Sequence, residues 1–495
     1  MNTDVDVVIV GAGPAGLMLA GDLARAGVSS AVFERRTGRS SLTRAFTVHA
    51  RTLEELDARG MADELIATGT RLPEFRLFAS AALDLSELPS RFPYLLVTPQ
   101  YQTERVLEER AKRAGADIHH GSEVTGFTQQ PDGVTVTVRQ DGGPDHVVRA
   151  GWLVGADGMH STVRELLGIP FPGKEVVRSV MLAEVRLTEE PPEALTVNAA
   201  GDAFALIAPF GDGFHRIVAW HRHNQEPEDA PVNLEDVREV TRQAFGTDYG
   251  MHDPRWMSRF HSDERQAPRY RDGNVLLAGD AAHVHSPAGG QGMNLGIQDA
   301  ANLGWKLAAT VQGWAPPGLL DTYQAERYPV GRLVLRSSGA MLRFGLTTRP
   351  ALLPARNALA LAMTRTPVLA KRLTGVISGI SISYPAPHGA HPLAGKRVAD
   401  LFLADGRRLY QALRDGRFLL TGTAGALTAD AASGYADRVQ TVPIAEPSGT
   451  VVLIRPDAYI GWAATDNAAI TPQIRACLER WCGTPAQPAM QSAWR

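Results

Sequence analysis

Val5-Asp6-Val7-Val8-Ile9-Val10-Gly11-Ala12-Gly13-Pro14-Ala15-Gly16 is the stretch on which the fold turns. An apolar run, Val5 to Val10, reads as a strand and stops at a glycine turn. A helical pattern through Leu17, Leu19, Ala20 and Leu23 follows and ends at Gly27. A second short strand, Ser30-Ala31-Val32-Phe33, then leads to Glu34. Strand, turn, helix and strand in this order open a dinucleotide-binding α/β fold. In the pattern Gly11-x-Gly13-x-x-Gly16, glycine lets the turn close and lets backbone N–H groups approach a pyrophosphate, whose charge suits a helix N-terminus. Glu34, at the end of the second strand, is placed to accept hydrogen bonds from ribose hydroxyls. A glycine turn used only for packing would need neither the helix nor the acid.

Two further motifs end apolar strands. Gly155-Ala156-Asp157-Gly158 follows Trp152-Leu153-Val154, and Gly279-Asp280-Ala281-Ala282-His283 follows Val275 to Ala278. Each alone could be a plain strand-ending turn; in this order and spacing with the first they are specific. Residues 134–138 and 147–154 read as paired strands across the turn Gln140 to Pro144. From about 176 to 265 short β-like runs predict an inserted sheet, and a helical pattern runs from about 293 to 312. Residues 340–380 read as helical, with Pro350, Pro354 and Pro367 as breaks, and Pro385 to Gly395 as a linker. The division expected is 1–175 plus 266–340 for the nucleotide unit, 176–265 for the sheet, 341–385 for a helical connection and 386–495 for a third unit ending in a helix over Ile470 to Trp481.

The three motifs, followed by Pro287 and Gly289-Gly290-Gln291-Gly292-Met293-Asn294, resemble the flavoprotein aromatic hydroxylases of the para-hydroxybenzoate hydroxylase type over roughly residues 4–340. The likeness is closest to actinobacterial hydroxylases of aromatic polyketides such as angucyclines. It implies an α/β fold: a Rossmann-like FAD-binding domain, an inserted mixed β-sheet substrate domain and a C-terminal thioredoxin-like domain, with Val452 to Trp462 as its signature hairpin. By the same resemblance the cofactor is FAD, with NADPH or NADH as a transient reductant and O2 as co-substrate. A flavin C4a-hydroperoxide would then hydroxylate a small polycyclic aromatic. Such chemistry belongs mostly to the cofactor, so no catalytic side chain is named.

Gly11, Gly13, Pro14, Ala15 and Gly16 would lie on the pyrophosphate and Glu34 on the adenosine ribose. Arg44 and Gln100 would lie along the FAD, and Gly279 and Asp280 at the ribityl chain. Pro287, Gly290, Gly292, Met293 and Asn294 would lie against the isoalloxazine ring. Asp157 is tied in the family to the nicotinamide cofactor as well as FAD. Arg35, in the tract Glu34-Arg35-Arg36, would attract phosphate or be a solvated charge. Baeyer–Villiger oxygenation and oxygenation that inactivates an antibiotic use the same motifs and stay open, as does a non-catalytic flavin-binding module.

The rest of the chain narrows the field. Its 495 residues, 44% hydrophobic and 21% charged with a net charge of −3, exceed one simple core and advertise no basic face for nucleic acid or anionic membrane. Acids stand where a signal peptide needs Lys or Arg, and the apolar stretch near 357–370 is too short to cross a membrane, so a cytoplasmic protein is expected. Cys477 and Cys482 make no disulfide framework and no Cys-x-x-Cys, so the third unit reads as structural, an oligomer contact at most; monomer and homodimer both stay open. His283 and His285 lack a third ligand nearby, so no metal is expected; they read as loop histidines or as proton carriers near the flavin. Phe204, Ile207, Phe210 and Trp220 of the inserted sheet would line a substrate wall or face a core, since alternate strand residues face opposite sides.

Overall fold

A strand that is apolar on both faces must be covered on both, and the chain builds its first unit around one. The computed structural model describes residues 4–39, 45–78, 81–210, 212–345, 353–422, 432–446, 449–467 and 470–485. Strand β1 (Val5–Val10) carries Val7, Val8 and Ile9 with no exposed surface. Helix α1 (Pro14–Arg25) returns the chain to β2 (Ser30–Glu34), which runs parallel to β1. Helix α2 (Gln100–Arg113) leads to β3 (Asp117–His120), parallel to β2. Strands β4 (Ser122–Gln130), β5 (Gly133–Gln140) and β6 (Asp145–Gly155) form an antiparallel ribbon, and the far end of β6 turns back parallel to β1. After the short helix α3 (Thr162–Leu166) the chain leaves this sheet.

The excursion is a second sheet: β7 (Gly173–Arg186), β8 (Thr196–Ala200), β9 (Ala203–Pro209), β10 (His215–His221), helix α4 (Leu234–Phe245) and β11 (His252–Gln266). The chain then rejoins the first sheet as β12 (Val275–Leu277), parallel to β6, and gives the second sheet a last strand, β13 (His283–Val284). The first sheet thus reads β12-β6-β1-β2-β3 through its parallel part, and the second β8-β9-β10-β7-β11-β13.

Alternation decides what the second sheet shows to each side. Ala203, Ala205 and Ile207 of β9 pack with Val237, Val240 and Ala244 of α4. The opposite face carries Phe204, Val218 and Trp220, which meet Val177, Val180 and Leu342.

Helices α5 (Gly292–Val311) and α6 (Thr322–Gly345) complete the first unit, and α7 (Leu353–Arg365) and α8 (Pro367–Ile377) follow. One of the prolines expected to break helices instead opens one. Pro367 is the first residue of α8, because a first-turn residue needs no N–H partner and proline's φ is already helical, while Pro354 lies within the described part of α7. Pro329 lies within α6, and Pro350 falls outside the described residues.

The third unit is a four-stranded sheet, β14 (Phe418–Thr421), β15 (Val439–Thr441), β16 (Thr450–Ile454) and β17 (Ile460–Thr465), in the order β15-β14-β16-β17, closed by α9 (Ile470–Cys482). Phe418, Ile474 and Leu478 share one apolar cluster with Trp305 and Ala309 of α5, so this unit is built onto the back of the first. Cys477 and Cys482 are free, buried thiols, and burial pushes the Cys482 thiol up to about 12. Among the described residues no helix is long and apolar enough to cross a membrane. Because Ile9 sits between two parallel neighbours with no exposure, Ile9→Ala should cost about 2–5 kcal/mol in denaturant unfolding, whereas Val147→Thr, at a position 55% exposed, should change stability by less than about 0.5 kcal/mol.

Candidate functional site

The three glycine motifs meet at the carboxyl ends of β1, β6 and β12. The Gly11 N–H donates to Phe33 O at 2.8 Å, Ala156 N–H to Val10 O at 2.8 Å and Ala278 N–H to Gly155 O at 2.9 Å. A carbon added at Gly11, where φ is +102°, would stand 2.5 Å from Ala156 O, and one added at Gly16 would collide with Gly11 O. One at Gly279 would meet the Ala15 side chain at 3.1 Å and the Gly296 backbone at 3.6 Å. Glycine is therefore required where α1, α5 and the strand ends touch.

Gly13 is different: a carbon there would meet nothing within 4 Å. It caps α1 with no side-chain bond, Pro14 follows, and the first turn holds no acid. Open space before an uncapped, acid-free helix start is a cradle for an anion. Beside it, Glu34 accepts from Ala12 N at 2.8 Å and from the N and Nε of Arg36, both at 2.9 Å. Burial alone would raise the carboxyl's pKa, but the Arg36 bonds overcome it and hold the group below its usual range. Arg36, not Arg35, is the partner; Arg35 is exposed.

Asp157 accepts from Ser161 Oγ at 2.6 Å and from Val163 N at 3.2 Å and so fastens the start of α3. Asp280 stands exposed in the turn Gly279–Ala281. Asn294 is buried, donating from Nδ2 to Thr47 O at 2.9 Å and to Gly290 O at 2.8 Å, and accepting from His49 N at 2.9 Å. Its side chain thus shapes the 287–292 loop from behind. Pro287 is exposed; Gly290, Gly292 and Met293 are half-buried at the start of α5, which has neither a side-chain cap nor a first-turn acid.

His49, which sequence reasoning missed, donates from Nε2 to Gly289 O at 2.7 Å, and burial pushes its pKa down to about 4. His285 donates from Nδ1 to Ser286 O at 2.9 Å and is likewise pushed down to about 4. No periodicity marks His49, because its role arises from a loop 240 residues away in sequence. Gln100 accepts from Ala45 N at 3.1 Å and donates to Glu104 at 2.8 Å. Arg44 falls outside the described residues.

The substrate-wall residues separate. Ile207 lies in the core with α4, on the face opposite Phe204, because strand neighbours an odd number apart point to opposite sides. Phe204 and Trp220 share the other face, with Trp220 Nε1 donating to Arg178 O at 3.1 Å. Phe210 is buried 6.2 Å from the Phe46 ring, beneath the Arg216 guanidinium. Near them Phe46, Phe75, Leu83, Leu206, Met341 and Leu373 form an apolar cluster bordering the loop at Gly289.

Comparison with known proteins gives the site its context. Residues 4–338 match the family model described as FAD binding domain, and residues 391–485 the one described as aromatic-ring hydroxylase, C-terminal. The chain belongs to the FAD-dependent aromatic hydroxylases. Within this family of monooxygenases it is 42% identical to 12-dehydrotetracycline 5-monooxygenase/anhydrotetracycline 6-monooxygenase of Streptomyces rimosus, over 97% of this chain and 99% of that one. It is 41% identical to the rifampicin monooxygenase of Streptomyces venezuelae, over 95% and 98%. The solved structure of the OxyS anhydrotetracycline hydroxylase from Streptomyces rimosus superposes with a TM-score of 0.87 at 42% identity, covering 97% of this chain and all of that one. The open cradle at Gly13 and the two uncapped helix starts fit the pyrophosphate and the electron-rich pyrimidine edge of the flavin such hydroxylases carry.

Gly13→Ala should therefore keep the fold and weaken FAD binding at least ten-fold, read by flavin fluorescence, while Gly16→Ala should cost about 1–3 kcal/mol of stability. Acid should act through the two imidazoles. Between about pH 6.5 and 4 the unfolded chain takes up protons that folded His49 and His285 refuse, so stability rises with pH across that window and is lost on acidification. Each group contributes a slope of about 1.4 kcal/mol per pH unit there. His49→Gln should flatten the fall in melting temperature between pH 6.5 and 5; an unchanged slope would exclude His49 as a source.

Proposed function

We propose that the chain uses FAD, reduced by NADPH or NADH, to insert one oxygen atom of O2 as a hydroxyl group into a polycyclic aromatic of polyketide type. The observation that carries this reading is the near-full-length identity, C-terminal unit included, to a monooxygenase of anhydrotetracycline. The apolar cluster against the 287–292 loop supports it, since a flat aromatic substrate needs an apolar, water-poor chamber beside the flavin. In this reading residues 1–175 and 266–340 hold the cofactor, 176–265 form the substrate sheet, 341–385 connect, and 386–495 form a thioredoxin-like unit without a redox cysteine pair.

FAD would supply hydride acceptance and oxygen activation. The chain's own residues then bind, orient and exclude water. Gly13 and the α1 N-terminus seat the pyrophosphate, and Glu34 takes the adenosine ribose in competition with Arg36. Gln100 and Asp280 line the cofactor's length. The segment Pro287 to Asn294 would hold the isoalloxazine ring, its backbone N–H groups favouring the negative charge that collects on the pyrimidine edge on reduction. Phe204 and Trp220, with the cluster around Phe75 and Leu373, orient the ring and keep water from it.

Anaerobic reduction of the holoenzyme by NADPH, followed by loss of the oxidised flavin band with and without anhydrotetracycline and other polycyclic phenols, tests the reading. Acceleration by one phenol, with a new C–OH in the product by NMR after O2 is admitted, is expected. Peroxide as the sole product with every phenol would refute it. The identity to a rifampicin monooxygenase favours one second reading, oxygenation that inactivates an antibiotic. Rifampicin turnover with loss of its antibacterial activity would establish that reading, and an ester or lactone product would mark Baeyer–Villiger insertion.

A further inference from the structure

The turn Gly279 to His283 is held from behind by one carboxylate. Asp299, in the interior of α5 and without exposed surface, accepts through Oδ2 from Gly279 N at 3.2 Å and from His283 Nε2 at 2.6 Å. Its other oxygen accepts from Arg327 Nε of α6 at 2.6 Å. Arg327, also fully buried, donates from Nη2 to Leu295 O and from Nη1 to the Tyr384 hydroxyl, both at 3.2 Å. The turn that carries Asp280 is thus held at Gly279 and at His283 by one buried carboxylate.

Arg327 in turn leans on the third unit. The Tyr384 ring stacks on Tyr459, with centroids 4.0 Å apart, in the turn between β16 and β17. From the same turn Arg455 reaches Glu326, the residue before Arg327, through two bonds of 2.6 and 2.8 Å, and Asp457 at 2.9 Å. Lys306 Nζ donates to Glu326 at 2.7 Å, and Arg51 Nη2 to Asp457 O at 2.7 Å. Every side chain in this series of contacts is buried, so none has water as an alternative partner.

We infer that Asp299 is a positioning residue of the flavin site and that the Arg455–Tyr459 turn of the third unit acts through Arg327 to hold it. The third unit, which has no redox cysteine pair, thereby fixes the turn that presents Asp280 to the cofactor. The inference rests on the FAD reading of the site.

The test uses the full-length holoenzyme. Asp299→Asn keeps an acceptor for Gly279 N but removes the charge facing Arg327 and His283. Tyr384→Phe removes only the hydroxyl and keeps the ring stack, and Arg455→Lys keeps the charge but not the two-pronged bond. Asp299→Asn should weaken FAD binding at least ten-fold, release flavin at a lower temperature than that at which the chain unfolds, and shift the midpoint potential of the bound flavin. The two milder variants should weaken FAD three- to ten-fold in the same direction. If Asp299→Asn does not fold, the milder pair decides. FAD affinity within two-fold of wild type and an unmoved potential in both would overturn the inference, whatever their melting temperatures. A wild-type chain that binds no FAD would instead overturn the reading beneath it.

Discussion

The missing side chain of Gly16 is the constraint on which the rest of the structure depends. Helix α1 can start directly above the end of β1 because nothing stands between Gly16 and the carbonyl of Gly11, and because Ala156 comes no larger than a methyl group. That approach puts the N–H groups of the first turn of α1 over the strand ends. It also brings Ala15 against Gly279 and Gly296, so α5 packs along α1 and delivers its own N-terminus to the same side. The parallel order β12-β6-β1-β2-β3 then needs no further device to gather three motifs that lie far apart in sequence, since parallel strands place all their carboxyl ends together.

Behind this sterically defined front the interior is unusually polar. Asp299, Arg327, Lys306 and Arg455 lie within 2% of full burial, with Glu326 close to it. Such pairs add little to stability relative to a well-packed apolar core, because the attraction is set against the loss of water around two charges. What they supply is geometry. Burial alone would make Glu326 a weaker acid, yet Arg455 and Lys306 hold it ionised, while burial drives Lys306 down to about 8 despite Glu326. A register slip of α5 against α6 would strand one of these charges, so the network admits one arrangement of the helices that border the cofactor turn.

How much of this was legible in sequence depended on the range of the cause. Gly11 to Gly16, the run Val275 to Leu277 and the helix after Gly292 were legible because strand burial, turn stereochemistry and helix periodicity are written within a dozen residues. The hairpin at Val452 to Trp462 was expected from the family resemblance alone, and β16 and β17 pair across it. Ile207 could not be assigned a face, since alternation gives the two sides of a strand but not which one α4 covers. The side-chain partners of Asn294 and Asp157, among them Thr47, Gly290 and Ser161, lie beyond what local pattern shows, and only tertiary structure supplies them. The role of Asp299 was equally hidden: in sequence it is one polar residue in a helical run.

Electrostatics around the 287–292 loop follow from the same economy. A helix N-terminus gives about half a positive charge at a fixed position, enough to favour a developing anion without a titratable side chain. His49 and His285 border that position, and burial keeps both neutral down to about pH 4. Were either protonated near neutral pH, the local field would change with pH and with every proton released nearby. Held neutral, each serves through one ring N–H as a fixed strut to a backbone carbonyl, Gly289 or Ser286. On the proposed reading, the flavin's pyrimidine edge would then face a constant potential set by α5, and the chamber's selectivity would rest with the shape of the apolar wall opposite.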